Sequence, residues 1–246
     1  TSKDSVVQIA CHENIFGLRK LYELCEFSAK VFHPLKVGRV IARPFLGDNT
    51  GTFFRTKNRK DYTFPPPNKT LCDLVMENNR SCHAIGKIAD IFSNRGISTS
   101  VSGFSDDALF YKMIDIIKKA KNGDLIFANF VEFDSLYGHR RDVAGFASAL
   151  ERFDLKLVKL LEIINPNDFL IITADHGNDP TFKGTDHTRE KVPVLMVGNY
   201  AQKGNNGNIG FSDVGATMAA FLNLSGKLKG TNIFNDNNKL EKKCKT

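Results

Sequence analysis

The stretch Phe169-Leu170-Ile171-Ile172-Thr173-Ala174-Asp175-His176-Gly177-Asn178-Asp179 constrains this chain more than any other. An apolar run, long enough for one buried strand, stops at an acid, an imidazole and a glycine. In open α/β sheets the C-terminal ends of strands border the functional crevice. On regular extended backbone Asp175 and His176 would point apart. Gly177 is expected to supply a sharp turn that lets both face one ion. A second acid–imidazole pair, Asp186-His187, follows across a loop containing Pro180 and Gly184.

A second strand-like run, Asp124 to Phe130, also ends in ligand-type side chains. It enters Val131-Glu132-Phe133-Asp134-Ser135-Leu136-Tyr137-Gly138-His139-Arg140-Arg141-Asp142, with Asp134 and His139 on either side of a turn containing Gly138. Asp134, His139, Asp175, His176 and His187 together offer two carboxylates and three imidazoles from three loops. That donor set suits Mn²⁺, Zn²⁺ or Fe²⁺ better than an all-oxygen Ca²⁺ or Mg²⁺ cage. Five protein ligands exceed what one catalytic ion with an open position takes, and fit two ions sharing a phosphate. Three of the six histidines fall in these loops, a clustering that a satisfied core histidine or a surface pair does not explain. His12, His33 and His83 lack such neighbours and read as structural.

The rest of the chain predicts an α/β protein. After Pro65-Pro66-Pro67, a stiff extended linker, strand-like and helical periods alternate. Asn68-Lys69-Thr70 can cap a helix carrying Leu71, Leu74 and Val75. Ala84 to Ile88 is a strand meeting a turn, and Asp106 to Lys119 is an amphipathic helix. Val143 to Ile164 is a long helix with Phe146, Leu150, Phe153, Leu157, Leu160 and Leu161 inward. Phe169 to Thr173 and Val192 to Val197 are strands, and Ser212 caps a helix through Leu222. This order predicts a parallel sheet with helices on both faces. Before the prolines, residues 1 to about 64 form a separate unit. A strand from Asp4 to Ala10 leads to a helix with Ile15, Leu18, Leu21, Tyr22, Leu24 and Cys25. A strand from Lys36 to Phe45 follows, closed by Pro44. A polar, basic loop or edge then carries Arg55, Lys57, Arg59 and Lys60.

The net charge of +7 suits a phosphorylated substrate. Part of the excess sits in the terminal Lys239-Leu240-Glu241-Lys242-Lys243-Cys244-Lys245. Without basic–aromatic interleaving or a recognition-helix motif, a nucleic-acid partner is not expected. No apolar run reaches the length of a membrane span. The five cysteines, odd in number and widely spaced, fit free thiols in a reducing cytoplasm.

Thr173-Ala174-Asp175-His176-Gly177-Asn178-Asp179-Pro180-Thr181, Gly184-Thr185-Asp186-His187-Thr188-Arg189-Glu190 and Phe133-Asp134-Ser135-Leu136-Tyr137-Gly138-His139-Arg140-Arg141 together resemble the signature of the phosphopentomutase family, over nearly the whole chain. The resemblance implies an alkaline-phosphatase-like α/β core, a parallel sheet between helices, with a smaller α+β cap domain. The cap would be mostly residues 1–64, and 65–246 the C-terminal part of the core. The implied activity interconverts ribose or deoxyribose 1-phosphate and the 5-phosphate, through a phosphoenzyme and a bisphosphate, with two divalent ions, Mn²⁺ in the family. Asp134, His139 and His187 would hold one ion, and Asp175 and His176 the other. Asp4, Arg39, Ile41 and Lys87 match substrate-contacting positions, and Arg140 and Arg141 are further candidates for phosphate.

The family pattern also contains an upstream strand Asp for the second ion and an upstream threonine that carries the phosphate. Neither motif occurs in these 246 residues. The chain opens on Thr1 and runs straight into a strand-like segment, so a preceding segment of the same protein is expected as a structural partner. Two alternatives follow from the residues. One is a related metal-dependent phosphatase or phosphoglycerate mutase. The other is a truncated, inactive metal-binding domain.

Overall fold

The computed structural model describes residues 6–234. Asp4, Cys244 and the basic tail therefore lie outside the described residues. The chain divides into two compact units, Thr1–Asn68 with Asp90–Arg95, and Lys69–Ala89 with Gly96–Thr246.

The first unit is built on a β-α-β crossover. Strand β1 (Val6–His12) leads through a single turn α1 (Glu13–Phe16) into helix α2 (Leu18–Phe32), and the chain returns in β2 (Arg39–Leu46). β1 and β2 are parallel, with Val7 opposite Val40 and Ile9 opposite Ala42. A parallel pair requires a long crossover, and α2 supplies it. Leu21, Cys25 and Ala29 stack at helical spacing on Val40 and Ala42, with Val7, Ile9, Tyr22 and Tyr62 around them. Burial pushes the Cys25 thiol up to about 11. Ile15 and Leu24, expected on this face, are exposed. The chain breaks at Gly17, which puts Ile15 in another turn, and Leu24 sits about 100° around α2 from Cys25.

Pro44 does not close β2, which continues through it to Leu46. The short strand β3 (Phe54–Arg55) pairs with β2 at Phe45 and Leu46, and β4 (Lys60–Thr63) pairs at Arg39–Ala42. Pro44 falls between these two ladders, where a missing N–H breaks neither.

The second unit begins with α3 (Leu71–Glu77). Thr70 caps it: its hydroxyl accepts from the Asp73 N–H, and Asp73 accepts from the Thr70 N–H at 2.7 Å, a reciprocal capping box. Then come β5 (Cys82–Ile85), the turn α4 (Ile88–Ile91), β6 (Thr99–Val101), α5 (Asp106–Ile117) and β7 (Leu125–Ala128). β5 lies between β6 and β7, parallel to both. A π-helical segment, Phe133–Gly138, precedes the long helix α6 (Val143–Ile163), whose first turn is capped by Asp142 through the Gly145 N–H. Ile85, Leu109, Phe110, Met113, Ile114 and Leu160 form the core, with Ile126, Phe153, Leu157 and Leu170 packed against it. The buried stripe of α6 runs through Ala149 and Leu160, while Leu150 and Leu161 are half exposed rather than inward. Each is one position, about 100°, past a buried residue.

β8 (Leu170–Thr173) and β9 (Val194–Val197) form a separate two-stranded sheet and are antiparallel, Ile171 facing Met196. β5, β6 and β7 keep the expected parallel arrangement, and β8 and β9 depart from it because loop, not helix, joins them, so the chain returns in the opposite direction. Helix α7 (Phe211–Phe221) starts one residue before Ser212. Its Asp213 carboxylate accepts from the Gly210 N–H at 2.8 Å. Among the described residues, no helix is long and apolar enough to cross a membrane.

Candidate metal centre

Asp134 and His139 are five residues apart, which on an α-helix would turn their side chains about 140° away from each other. The chain avoids this with a π turn. The His139 N–H donates to the Asp134 carbonyl and the Asp142 N–H to the Tyr137 carbonyl, each five residues back. Phe133 holds the segment down, packing edge-on against Phe146 and Phe153 of α6. Asp134 Oδ2 thereby reaches within 3.2 Å of His139 Nε2. π segments recur at functional sites because they re-aim side chains in this way.

His187 arrives from the loop beyond β8. Its Nε2 lies 3.4 Å from Asp134 Oδ1, and its ring stacks on both His139 and His176, with centroids 4.8 Å and 3.6 Å away. The ligand atoms of Asp134, His139 and His187 all fall within 4.8 Å of one another. Among the described residues they are the one such group of three or more. Asp175 and His176, which follow β8, form their own pair, Oδ2 to Nε2 3.7 Å. His176 is joined to the cluster through its stacking on His187, and Asp175 remains 72% exposed.

The tautomers follow from the hydrogen bonds. His139 Nδ1 lies 2.5 Å from the Thr185 carbonyl, and His176 Nδ1 lies 3.2 Å from the Gly177 carbonyl. A carbonyl can only accept, so each Nδ1 carries a proton and Nε2 is the atom each ring turns to the cluster. At His139 it faces a carboxylate oxygen. A proton on Nε2 or a cation shared by the two atoms satisfies that contact. One carboxylate and two imidazoles are a donor set for a first-row divalent ion with a position left open.

Several residues that support this geometry were not anticipated. The Asn178 amide donates to Asp134 Oδ1 at 2.6 Å, and its oxygen accepts from Arg141. Gly138 makes room for it: a Cβ there would come within 2.5 Å of Asn178 Nδ2. Arg141, a candidate for phosphate, is committed instead to the loop. It donates to the Gly138, Asp179, Gly184 and Asp186 carbonyls as well as to Asn178. The Thr181 hydroxyl and amide hold the Asp179 carboxyl below its ordinary range. The chain bends at Asp175 and His176, directly before Gly177. Gly177 forms a bridge with Thr188 in antiparallel sense, and a Cβ there would strike the Glu190 carboxylate. No local pattern identifies Arg141. Asn178, next to the motif's glycine, could have been suspected.

Lys87 is exposed in the turn after β5. In the first unit, Ile41 is 2% exposed in the middle of β2, and Arg39 lies 3.9 Å from Asp61. Arg59 grips Asp61 with two bonds of 2.7 and 2.8 Å. Burial, then Arg59, Arg55 and Arg39, push the Arg43 guanidinium below its ordinary range, and its buried Nε has no hydrogen-bond partner among the described residues. His83 bonds Thr99 and Asp124, while His12 and His33 reach the Gly47 and Tyr62 carbonyls. Cys11, Cys25, Cys72 and Cys82 are free thiols.

The chain belongs to the Metalloenzyme superfamily, whose pattern it matches over residues 76–226. It is 50% identical over 232 residues to a phosphopentomutase of Legionella pneumophila (strain Corby), covering 93% of this chain and 56% of that protein. It is 48% identical over 225 residues to a phosphopentomutase of Agrobacterium fabrum, covering 91% and 55%. The chain thus spans about half the length of the curated relatives it matches. The PH0037 protein of Pyrococcus horikoshii superposes with a TM-score of 0.53 at 16% identity, over 84% of this chain and 64% of that one, a likeness of fold alone.

Proposed function

We propose that this chain carries the metal-holding part of a phosphopentomutase, which interconverts ribose or deoxyribose 1-phosphate and the 5-phosphate through a phosphoenzyme and a bisphosphate. The observation that carries this reading is Asp134 Oδ2 facing Nε2 of His139 at 3.2 Å, in a chain about half identical to phosphopentomutases. Asp134, His139 and His187 would hold one divalent ion, and Asp175 and His176 would contribute to a second. Mn²⁺ is the ion the resemblance implies. Bound there, such ions neutralise charge on a phosphoryl group in transfer.

The chain's own residues do the positioning. Asn178 holds Asp134 by one oxygen, leaving the other turned to His139. The Thr185 carbonyl sets the His139 tautomer, the outer-layer contact on which ligand orientation depends. Arg141 ties together the loop that delivers His187. In the first unit, read as the cap, the crowd of Arg39, Arg43, Arg55 and Arg59 has a surplus of positive charge that suits a phosphate ester. Substrate contacts by Asp4, Arg39, Ile41 and Lys87 are part of the same proposal.

The test is an assay of the protein from its complete reading frame with ribose 1-phosphate, phosphoglycerate and a generic phosphate monoester, with Mn²⁺ and with chelator. Metal-dependent conversion of the pentose phosphate, lost in Asp134→Asn, is expected. Preference for phosphoglycerate, or simple hydrolysis of the generic ester, would overturn the pentose reading. Metal binding with no turnover of any of the three would leave a binding domain.

A further inference from the structure

Asp106 is the first residue of α5, yet its carboxylate turns away from its own helix. Ser105 takes the capping position, its hydroxyl accepting from the Ala108 N–H. The Asp106 carboxylate crosses to the chain leaving β7. Oδ1 accepts from the Val131 N–H and Oδ2 from the Glu132 N–H, each at 2.9 Å. These are the amides that open the π segment, where backbone donors have no partner within the helix itself. The residue is 8% exposed. Burial pushes its carboxyl up despite the two N–H bonds, with Glu132 adding to the rise and Lys156 opposing it. A buried carboxyl group whose two oxygens both go to the amides of another segment fixes where that segment starts.

We propose that Asp106 is a positioning residue for the metal centre: by pinning the Val131 and Glu132 amides, it sets where the π segment begins and so where Asp134 stands against His139 and His187. This rests on the reading of that cluster as a divalent-ion site. Geometry supports the link. Asp134 lies two residues beyond the second pinned amide, and the Ser135 N–H returns to the Val131 carbonyl at 2.9 Å. The Asp106 carboxylate bonds backbone amides and not the ligand side chains. Its substitution acts on the ligands through the backbone.

The experiment is Mn²⁺ titration by calorimetry on the full chain, paired with amide hydrogen exchange of the metal-free protein. The wild type, Asp106→Asn, Asp134→Asn and the control Thr70→Ala are compared. Thr70→Ala removes the cap of α3 and destabilises the unit without touching the π segment. Asp106→Asn turns one acceptor into a donor facing a donor. It is expected to weaken Mn²⁺ binding about tenfold or more and to speed exchange at residues 131–139, while Thr70→Ala does neither. Equal Mn²⁺ affinity in wild type and Asp106→Asn, with Asp134→Asn impaired, overturns the positioning role and leaves the metal site standing. No Mn²⁺ binding by the wild type, or none sensitive to Asp134→Asn, overturns the metal reading and this inference with it. Should Asp106→Asn fail to fold, exchange in the wild type still decides. Val131 and Glu132 amides must be protected like the core of α5, and rapid exchange there sinks the proposal.

Discussion

The His139 N–H donates to the carbonyl of Asp134 at 2.9 Å, and that one bond brings the two side chains together, Nε2 to Oδ2 3.2 Å. The backbone ring is one residue wider than an α-helical ring, which places residues five apart on a common face. The centre therefore depends on what preserves the wider ring and on what fills the space beside it.

Gly138→Ala tests that space. A Cβ there meets Asn178 Nδ2 at 2.5 Å and the Phe133 carbonyl at 3.1 Å. Overpacking of this kind costs about 1–3 kcal/mol. Displacing Asn178 also frees Asp134 Oδ1. The expected outcome is a lower urea midpoint and about tenfold weaker Mn²⁺ binding, read by denaturation and calorimetry. Unchanged affinity would show that Asn178 does not orient the carboxylate.

Arg141→Lys tests the loop clamp. The planar guanidinium serves several carbonyls at once, and an ammonium cannot match that fork. We expect a loss of about 2 kcal/mol and faster hydrogen exchange over residues 178–187, with charge conserved. If the lysine variant behaves as wild type, the clamp is not what orders the loop.

Asp124 ties the starts of two parallel strands. Its carboxylate accepts from the Ser81 and Lys121 amides and meets His83 Nε2 at 3.3 Å. Burial opposes its charge, but these bonds outweigh it and leave the carboxyl below its ordinary range. A depressed folded value means stability present above the unfolded value of about 3.9 and lost as pH falls through the folded one. Asp124→Asn should therefore destabilise at pH 7. Its gap to the wild type should close below about pH 4, measured by urea unfolding across pH. A gap independent of pH would contradict this.

Protons compete with metal for imidazole nitrogen. Mn²⁺ affinity is expected to be lower at pH 5 than at pH 8, and His187→Ala should weaken binding at every pH. Equal affinity at pH 5 and 8 would argue against histidine ligands.

Much of this architecture was legible in the chain. The helix cap within Asn68-Lys69-Thr70, the helix from Val143 and the strand ending before Asp175 depend on neighbours within a few residues. Local periodicity and turn chemistry carry such information. Pro44 misled because a proline's meaning depends on which strand lies alongside. Leu150 and Leu161 misled because apolar content does not say which side of a helix is covered. The bend before Gly177 was legible, but the Glu190 carboxylate that crowds this glycine comes from further along the chain and was not.

The sequence alone determined the residue types: acids and imidazoles in three loops, the first two at the ends of apolar strands, with glycines beside them. That much follows from hydrophobic period and side-chain chemistry, which are local. Only the tertiary structure decided that Asp134 and His139 meet through a π turn, that β9 runs against β8, and that Arg141 serves the loop. It also decided that the Asp106 carboxylate reaches the amides of Val131 and Glu132. Each of these is settled by which backbone donor finds which acceptor across 25 or more residues or by one hydrogen-bond offset, and no residue's own propensity encodes that choice.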